Sequence, residues 1–482
     1  MALLLYNKQV IIKLLTYFIF KKETDKMENF FKLKEHGTDV KTELSSGLTT
    51  FLAMVYILAV NPSILSASGM DTQSIFTATC VSAAIGCFLM AFLANYPVAL
   101  ASGMGLNAYF AYTVCGQLSE AGIEEPYKVA LVAILVEGII FVLLSFTNFR
   151  ERLVNEVPQN IKYGITAGIG LFIASIGLKN AGIMVSSEST LMTLGDMGTP
   201  QVILPIFGII IIAALSYMHV RGAVLLGILA TWIMGMIAQV TGWYQVDPEA
   251  GLFSVFPSLD FANFMPVDKH IFAFDFEWIG SHILEFAAVI FSFLFVDIFD
   301  TVGTLIGVAD KGNLLDKDGH LPNAKGALLS DALATIVGAC LGASTVTSYV
   351  ESSAGVANGG RTGLTAATTG VLFLASLVLS PIFLAIPSFA TTPALVYVGY
   401  LMIMSIKNID FDTDVADGIG AFMAIVMMPF TASIAEGIMF GMLSWVILKI
   451  LTGKAKDISV VMWISSALFM LYVVQLISPA FG

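Results

Sequence analysis

The residues of this chain with the most chemistry in them stand where the sequence is most apolar. Within Phe291-Ser-Phe-Leu-Phe-Val-Asp297-Ile-Phe-Asp300-Thr301-Val-Gly303-Thr304, two carboxylates lie three residues apart. An ionised Asp at the bilayer centre costs roughly 2.5–3.5 kcal/mol on insertion scales, so such a residue faces a polar pocket or a proton path rather than lipid. At i and i+3, Asp297 and Asp300 are expected to share a helical face. The bland alternative is a structural pair bonded to facing backbone N–H groups or to an Arg. Glu137, alone in its apolar run, reads as structural.

Two further segments are too rich in Gly, Ser and Thr to be ordinary lipid-facing spans. The first, Asn95-Tyr-Pro97 through Ser102-Gly103-Met-Gly105-Leu-Asn107 to Tyr112, pairs a proline without an N–H with glycines that let the backbone turn or approach a ligand. It predicts an extended piece followed by a half-helix. Asn107 could serve a ligand or simply bond neighbouring backbone. The second segment runs Gly342-Ala-Ser344-Thr345-Val-Thr347-Ser348-Tyr-Val-Glu351 and ends at Gly359-Gly360-Arg361. It predicts a second half-helix, with its N–H groups aimed into the membrane. Ser348-x-x-Glu351 also matches a capping box, in which Glu351 would only close the helix. Exposed backbone at this depth is tolerated only when it is buried in protein or lines a cavity.

The elements that must carry these residues follow from composition. Of 482 residues, 57% are hydrophobic and 12% charged, against about 25% charged in soluble domains, which indicates a polytopic membrane protein. At about 20 residues per crossing, the chain supplies roughly fourteen spans. The net charge of −12 carries no basic patch with aromatic interleaving, so nucleic acid is not an expected partner. Cys80, Cys87, Cys115 and Cys340 fall in or beside apolar runs without the spacing of a zinc site and read as buried thiols.

Apolar runs lie near 45–65, 74–95, 127–146, 161–178, 202–218, 222–241, 281–308, 326–342, 362–386, 392–406, 416–433, 435–452 and 458–478. With segments 97–117 and 343–359 counted as crossings and the N-terminus inside, eight of 23 Lys and Arg precede the first span. Twelve more adjoin inside connections, and only Lys128, Lys179 and Lys269 fall outside. That distribution obeys the positive-inside rule with a cytoplasmic N-terminus. Residues 1–26 read as neither signal peptide nor span, and a coherent entry begins at Met27. The last run, 458–478, follows the fourteenth crossing and reads as a fifteenth span or an interfacial helix.

The acidic loop at 242–280 divides the chain, and each half has a broken segment third in order. Pro158…Tyr163-Gly164…Lys179-Asn180 echoes Pro393…Tyr397…Gly399…Lys407-Asn408. Seven crossings per half invert the second copy, and matching interrupted segments in an inverted repeat point to a transporter's midplane site. The expected organisation is a cytoplasmic segment 1–43, a first repeat 44–243, an extracellular loop 244–280, a second repeat 281–456 and an apolar C-terminal segment 457–482.

From about Met27 to Lys456 the chain resembles the AzgA-like purine permeases, a branch of the nucleobase:cation symporters. The motifs are Phe31-Lys-Leu-Lys-Glu-His-Gly-Thr38, Gly47-Leu-Thr-Thr-Phe51, Asn61-Pro62, Gly103-Met-Gly-Leu-Asn-Ala-Tyr-Phe-Ala-Tyr112, Phe299-Asp-Thr301, Gly303-Thr-Leu-Ile-Gly307, Gly359-Gly-Arg-Thr-Gly-Leu364 and Met428-Pro429. The resemblance implies an all-α fold of fourteen transmembrane helices in two inverted seven-helix repeats. It implies a core and a gate domain, and short strands in segments three and ten that meet at the site. It places a purine nucleobase (guanine, hypoxanthine or adenine) against Gly105, Asn107, Asp297, Asp300, Ser348 and Glu351, in a plasma-membrane importer without cofactor or catalytic activity. A homodimer stays open.

A carboxylate can accept parallel hydrogen bonds from guanine N1–H and the 2-amino group, while hypoxanthine keeps one of them. Adenine, with a bare N1 beside its amino group, suits a protonated carboxyl or an amide such as Asn107. Burial and neighbouring carboxylates disfavour charge, so Asp297 and Glu351 are the expected carriers of a coupling proton, with sodium an open alternative. Two rivals are an anion transporter or channel of the same architecture and an intramembrane aspartyl protease. The first wants positive groups at the broken segments. The second lacks its motifs, since Val302 follows Asp300-Thr301 and no Gly-x-Gly-Asp is present. Neither a His-Glu-x-x-His nor a Gly-x-x-x-x-Gly-Lys-Ser/Thr motif occurs.

Overall fold

A computed structural model describes residues 26–146, 156–247, 252–257, 267, 269–316 and 321–477. Residues 1–25, the basic residues Arg150, Arg152 and Lys317, and much of the acidic loop lie outside this description. Among the described residues, eleven helices are long and apolar enough to cross a membrane.

In chain order the elements are α1 (Val40–Ser68), α2 (Thr72–Ala94), β1 (Leu100–Ser102), α3 (104–120, beginning with Met104–Ala108), α4 (Pro126–Ser145) and α5 (Gln159–Asn180). An exposed hairpin of β2 (Met184–Ser187) and β3 (Leu191–Leu194) precedes α6 (Pro200–Tyr217) and α7 (Ala223–Val240). The second half comprises α8 (Ile283–Lys311), α9 (Ala324–Leu341), β4 (Val346–Ser348), α10 (Ser352–Ala357), α11 (Gly363–Phe383), α12 (Ser388–Asn408), α13 (Val415–Thr431) and α14 (Ile434–Leu451). The last, α15 (Val460–Ile477), is an additional helix.

Local chemistry sets several boundaries. Asp39 caps α1 by accepting from Thr42 N, and Asp71 caps α2 by accepting from Ser74 N. Pro158 immediately precedes α5, whereas Pro393, its counterpart in the sequence echo, lies inside α12, which itself starts after Pro387. Glu43 is fully buried and accepts from Arg361 N at 2.8 Å and Thr365 N at 3.1 Å, which ties α1 to the N-terminus of α11.

The helices fall into two packed groups. Helices α1, α2, α4, α8, α9 and α11, with the broken segments, form the core; α5, α6, α7, α12, α13 and α14 form the gate. The result is the fold of two inverted seven-helix repeats expected above. Within the gate, α5 meets α12 at close range: a Cβ on Gly170 would lie 2.6 Å from Met402 Cβ, and one on Gly399 would lie 2.4 Å from Gly170 O. Only glycine permits that approach. Helix α15 lies against both α14 and α8, with Phe469 packed edge-on to Phe291 at 5.3 Å.

The broken segments meet where expected. β1 and β4 pair antiparallel, with Leu100 opposite Ser348 and Ser102 opposite Val346. Gly103 N→Thr345 O (3.0 Å) and Tyr349 N→Ala99 O (3.0 Å) extend the ladder at both ends, so buried extended backbone is satisfied by its symmetry mate. Gly342 at φ +78° and Ser344 at φ +65° turn the chain from α9 into β4.

Candidate functional site

The strand pair and α8 build one wall of a cavity of about 600 Å3, and α5 and α12 build the other. Gly105, Asp300, Ser348 and Glu351 line it from the core; Tyr163, Thr166 and Ser405 line it from the gate. The volume falls in the usual range for small-molecule sites, and a cavity at a domain boundary with few convergent polar groups is their common form.

Helix geometry decides which acid reaches this space. Val296, Asp300, Gly303 and Thr304 line the cavity, a spacing of i, i+4, i+7 and i+8 that forms one stripe of a 3.6-residue helix. Asp297 falls off that stripe and is fully buried inside the core. The structure thus separates the acidic pair: Asp300 faces the cavity and Asp297 lies behind it.

Glu351 stands between β4 and α10 and accepts from the Tyr56 hydroxyl at Oε1, 2.5 Å away. Its side chain makes no capping bond to α10, so the capping-box alternative for Ser348-x-x-Glu351 is not realised. The Ser348 hydroxyl turns elsewhere, donating to Asp331 Oδ1 at 3.1 Å. Asp331 on α9 is fully buried and accepts from Thr301 Oγ1 at 2.8 Å through its other oxygen. Thr301 Oγ1 also lies 2.8 Å from Thr347 Oγ1. One carboxylate therefore knits α8, α9 and β4 beneath the cavity floor.

Asn107 is fully buried and does not line the cavity. Its Nδ2 donates to Asn61 Oδ1 at 2.5 Å and to Ser102 Oγ at 3.0 Å, while Asn61 Nδ2 donates to Thr79 Oγ1 at 2.7 Å. This side-chain chain joins α1, α2, α3 and β1. Tyr349 completes the frame, its hydroxyl donating to Ser102 O at 2.5 Å. Gly105 lies at the contact between core and gate, where a Cβ would come 2.8 Å from Ile169 Cγ2.

Tyr56 and Asp331 were not among the expected site residues. Asp331 carried the same signal as Asp297, an acid in an apolar run at 326–342. Tyr56 gave none, being one aromatic among many. Among the described residues no group of three or more His, Cys, Asp or Glu could hold a metal ion.

A family model described as the Permease family matches residues 41–480. Among curated proteins, the chain is 44% identical over 450 residues to a putative permease of Methanocaldococcus jannaschii, covering 93% of this chain and 98% of that one. It is 43% identical to the adenine permease AdeP of Escherichia coli, with 93% and 96% covered. It is 44% identical to the guanine/hypoxanthine permease PbuO of Bacillus subtilis, with 91% and 98% covered. Among solved structures, the transmembrane domain of a cyanobacterium bicarbonate transporter, BicA, superposes with TM-score 0.60 at 14% identity, covering 82% of this chain and 97% of that one. SLC26A9 superposes with TM-score 0.61 at 12% identity, covering 90% and 71%. At such identities the structural likeness concerns the fold.

Proposed function

The chain belongs to this permease family, and from that premise we propose that it is a secondary active transporter importing purine nucleobases by proton symport. The observation that carries the reading is the meeting of Asp300 and Glu351 in one cavity shared by core and gate. Relatives named adenine permease and guanine/hypoxanthine permease support the substrate class. The anion-transporter alternative is disfavoured because the candidate groups in the cavity are acidic.

In this reading Glu351 accepts from the N–H edge of the base, held in place by Tyr56, while Asp300 faces it from α8 and Gly105 leaves room for the ring. Asn107 and Asp297 act behind the surface, one bracing the strand pair and the other completing the acidic interior. A carboxylate accepts two parallel bonds from guanine, one from hypoxanthine, and must be protonated to donate to adenine N1. Ionised Glu351 thus grips guanine or hypoxanthine while the coupling proton rides on a neighbouring acid, Asp297 or Asp300, and only adenine calls for a proton on Glu351 itself. Alternating access follows if the gate moves past the core, as in other inverted-repeat carriers. The distribution of basic residues supports a cytoplasmic N-terminus.

The test is uptake of labelled guanine, hypoxanthine and adenine by cells or proteoliposomes, each in competition with the other two and repeated with a proton uncoupler. Accumulation that the uncoupler abolishes and that purines, but not bicarbonate or sulfate, displace is the expected result. Uncoupler-resistant, sodium-dependent accumulation would reassign the coupling ion.

A further inference from the structure

A second cavity of about 530 Å3 adjoins the first, and the two share Glu351 and Ser353. Arg221, between α6 and α7, and Lys311, the last residue of α8, line it together with His219 and Asn358. Both cations are exposed, and neither forms an ion pair among the described residues. Glu351, at the shared end, is the one acid lining this cavity among the described residues.

Arg221 Nη2 donates to Asn358 Oδ1 at 2.7 Å, which links the gate to the end of α10 in the core. Lys311 Nζ lies 3.5 Å from Ser353 Oγ. Each uses few of its donors in this way, since a guanidinium carries five N–H and an ammonium three. The combined space thus has an acid in the middle, where a base would be gripped, and two cations with spare donors at one end. A molecule matching that polarity carries a purine at one end and a dianionic group at the other.

We propose that the second cavity binds the phosphate of a purine nucleoside monophosphate whose base occupies the first cavity. This rests on the reading of the first cavity as a purine site. Arg221 offers a planar fork suited to phosphate and Lys311 a point charge, and a phosphate bound to both joins gate to core. The bound nucleotide blocks the cavity without being carried through it. A base joined to a ribose phosphate is the product of phosphoribosyl transfer, so the reaction class that consumes imported base would yield the inhibitor of further import.

The experiment uses the full-length chain purified in detergent, with labelled guanine displaced by guanosine 5′-monophosphate, guanosine or inorganic phosphate, and thermal melting recorded with each. The nucleotide is expected to displace guanine at least about tenfold better than the nucleoside, the size of one charge-assisted contact. In Arg221→Gln/Lys311→Gln that preference falls below about twofold, with affinity for guanine itself unchanged. Glutamine removes the charge and keeps an amide donor on a shorter side chain.

Equal displacement by nucleotide and nucleoside overturns the proposal, as does a preference that survives in the double variant. Stabilisation by phosphatidylglycerol vesicles that matches the nucleotide's would assign the cations to a lipid headgroup and also overturn it. If guanine fails to bind, the purine reading falls separately. Melting then decides the phosphate site: a nucleotide-specific rise lost in the double variant supports it, and no such rise refutes it.

Discussion

The Tyr56 hydroxyl lies 2.5 Å from Glu351 Oε1, so a residue of α1 holds the carboxylate that stands at the junction of β4 and α10. The two are 295 positions apart in sequence. The bond fixes Glu351 Oε1 through one lone pair and leaves its second lone pair, together with the other oxygen, for a ligand.

Removing that bond is predicted to loosen the site without dismantling it. Tyr56→Phe deletes one charge-assisted hydrogen bond, worth about 1.5 kcal/mol, and should weaken equilibrium binding of the preferred base about tenfold. Isothermal titration or labelled-base binding to the purified protein reads it. An unchanged Kd would mean that Tyr56 does not position Glu351.

Asp331 should be a residue of stability more than of selectivity. Its two oxygens accept from Ser348 and Thr301 in a fully buried position, and Asp331→Ala strands the Ser348 hydroxyl and leaves Thr301 with only its Thr347 contact. A loss of about 3 kcal/mol is expected, visible as a lowered melting temperature in detergent. The ranking of guanine, hypoxanthine and adenine in competition should survive in whatever protein remains folded; a changed ranking would place Asp331 against the base.

Gly105 sits where core and gate touch, with space for a Cβ only if Ile169 yields. Gly105→Ala is predicted to lower the transport rate severalfold, because the added methyl hinders sliding of α5 past α3. Counterflow rates set against equilibrium base binding separate this from a binding defect, which would show as a weakened Kd at normal turnover.

On the face that carries the 269–274 segment, stability should depend on pH through His270. Burial pushes this imidazole below its ordinary value of 6.5, with Asp71 pulling the other way and Lys269 adding to the depression. Its Nε2 accepts from Asp71 N at 2.9 Å, which requires the neutral ring. A lowered folded value means that the unfolded chain protonates first, so stability is full above about 6.5 and falls as pH drops below it. Melting at pH 7.5 and pH 5 should show a larger acid loss in the wild type than in His270→Gln; equal losses would assign the effect elsewhere. Asp71, whose burial is outweighed by bonds from Ser74 and Lys269 so that its carboxyl stays below the usual range, loses its contribution only at far lower pH.

Much of this arrangement was readable from particular residues. Pro97, Gly103 and Gly342 interrupt apolar runs at matching places, and the strands β1 and β4 form there and pair. The acidic pair was legible as an anomaly but not in its division, because i and i+3 lie about 60° apart on a helix and that suffices to turn one residue away from a cavity wall. Asn107 and Ser348 illustrate a different limit. Their partners, Asn61 and Asp331, sit 46 and 17 positions away on other helices, beyond the reach of a local motif, and the capping box loses to a buried carboxylate that needs donors. The β2–β3 hairpin was not anticipated, since its exposed strands bury little and leave no alternating apolar pattern. The final apolar run proves to be a helix packed on both α8 and α14, a placement that hydropathy cannot distinguish from an ordinary span.

The central claim is that Glu351 grips a purine in the cavity between core and gate. It is tested most directly by equilibrium binding of labelled guanine, hypoxanthine and adenine to the purified wild type and to Glu351→Gln. Saturable binding of at least one base, unaffected by bicarbonate or sulfate and about a hundredfold weaker in Glu351→Gln, is the predicted result. Equal affinity in the two proteins, or displacement of the base by bicarbonate or sulfate, would contradict it.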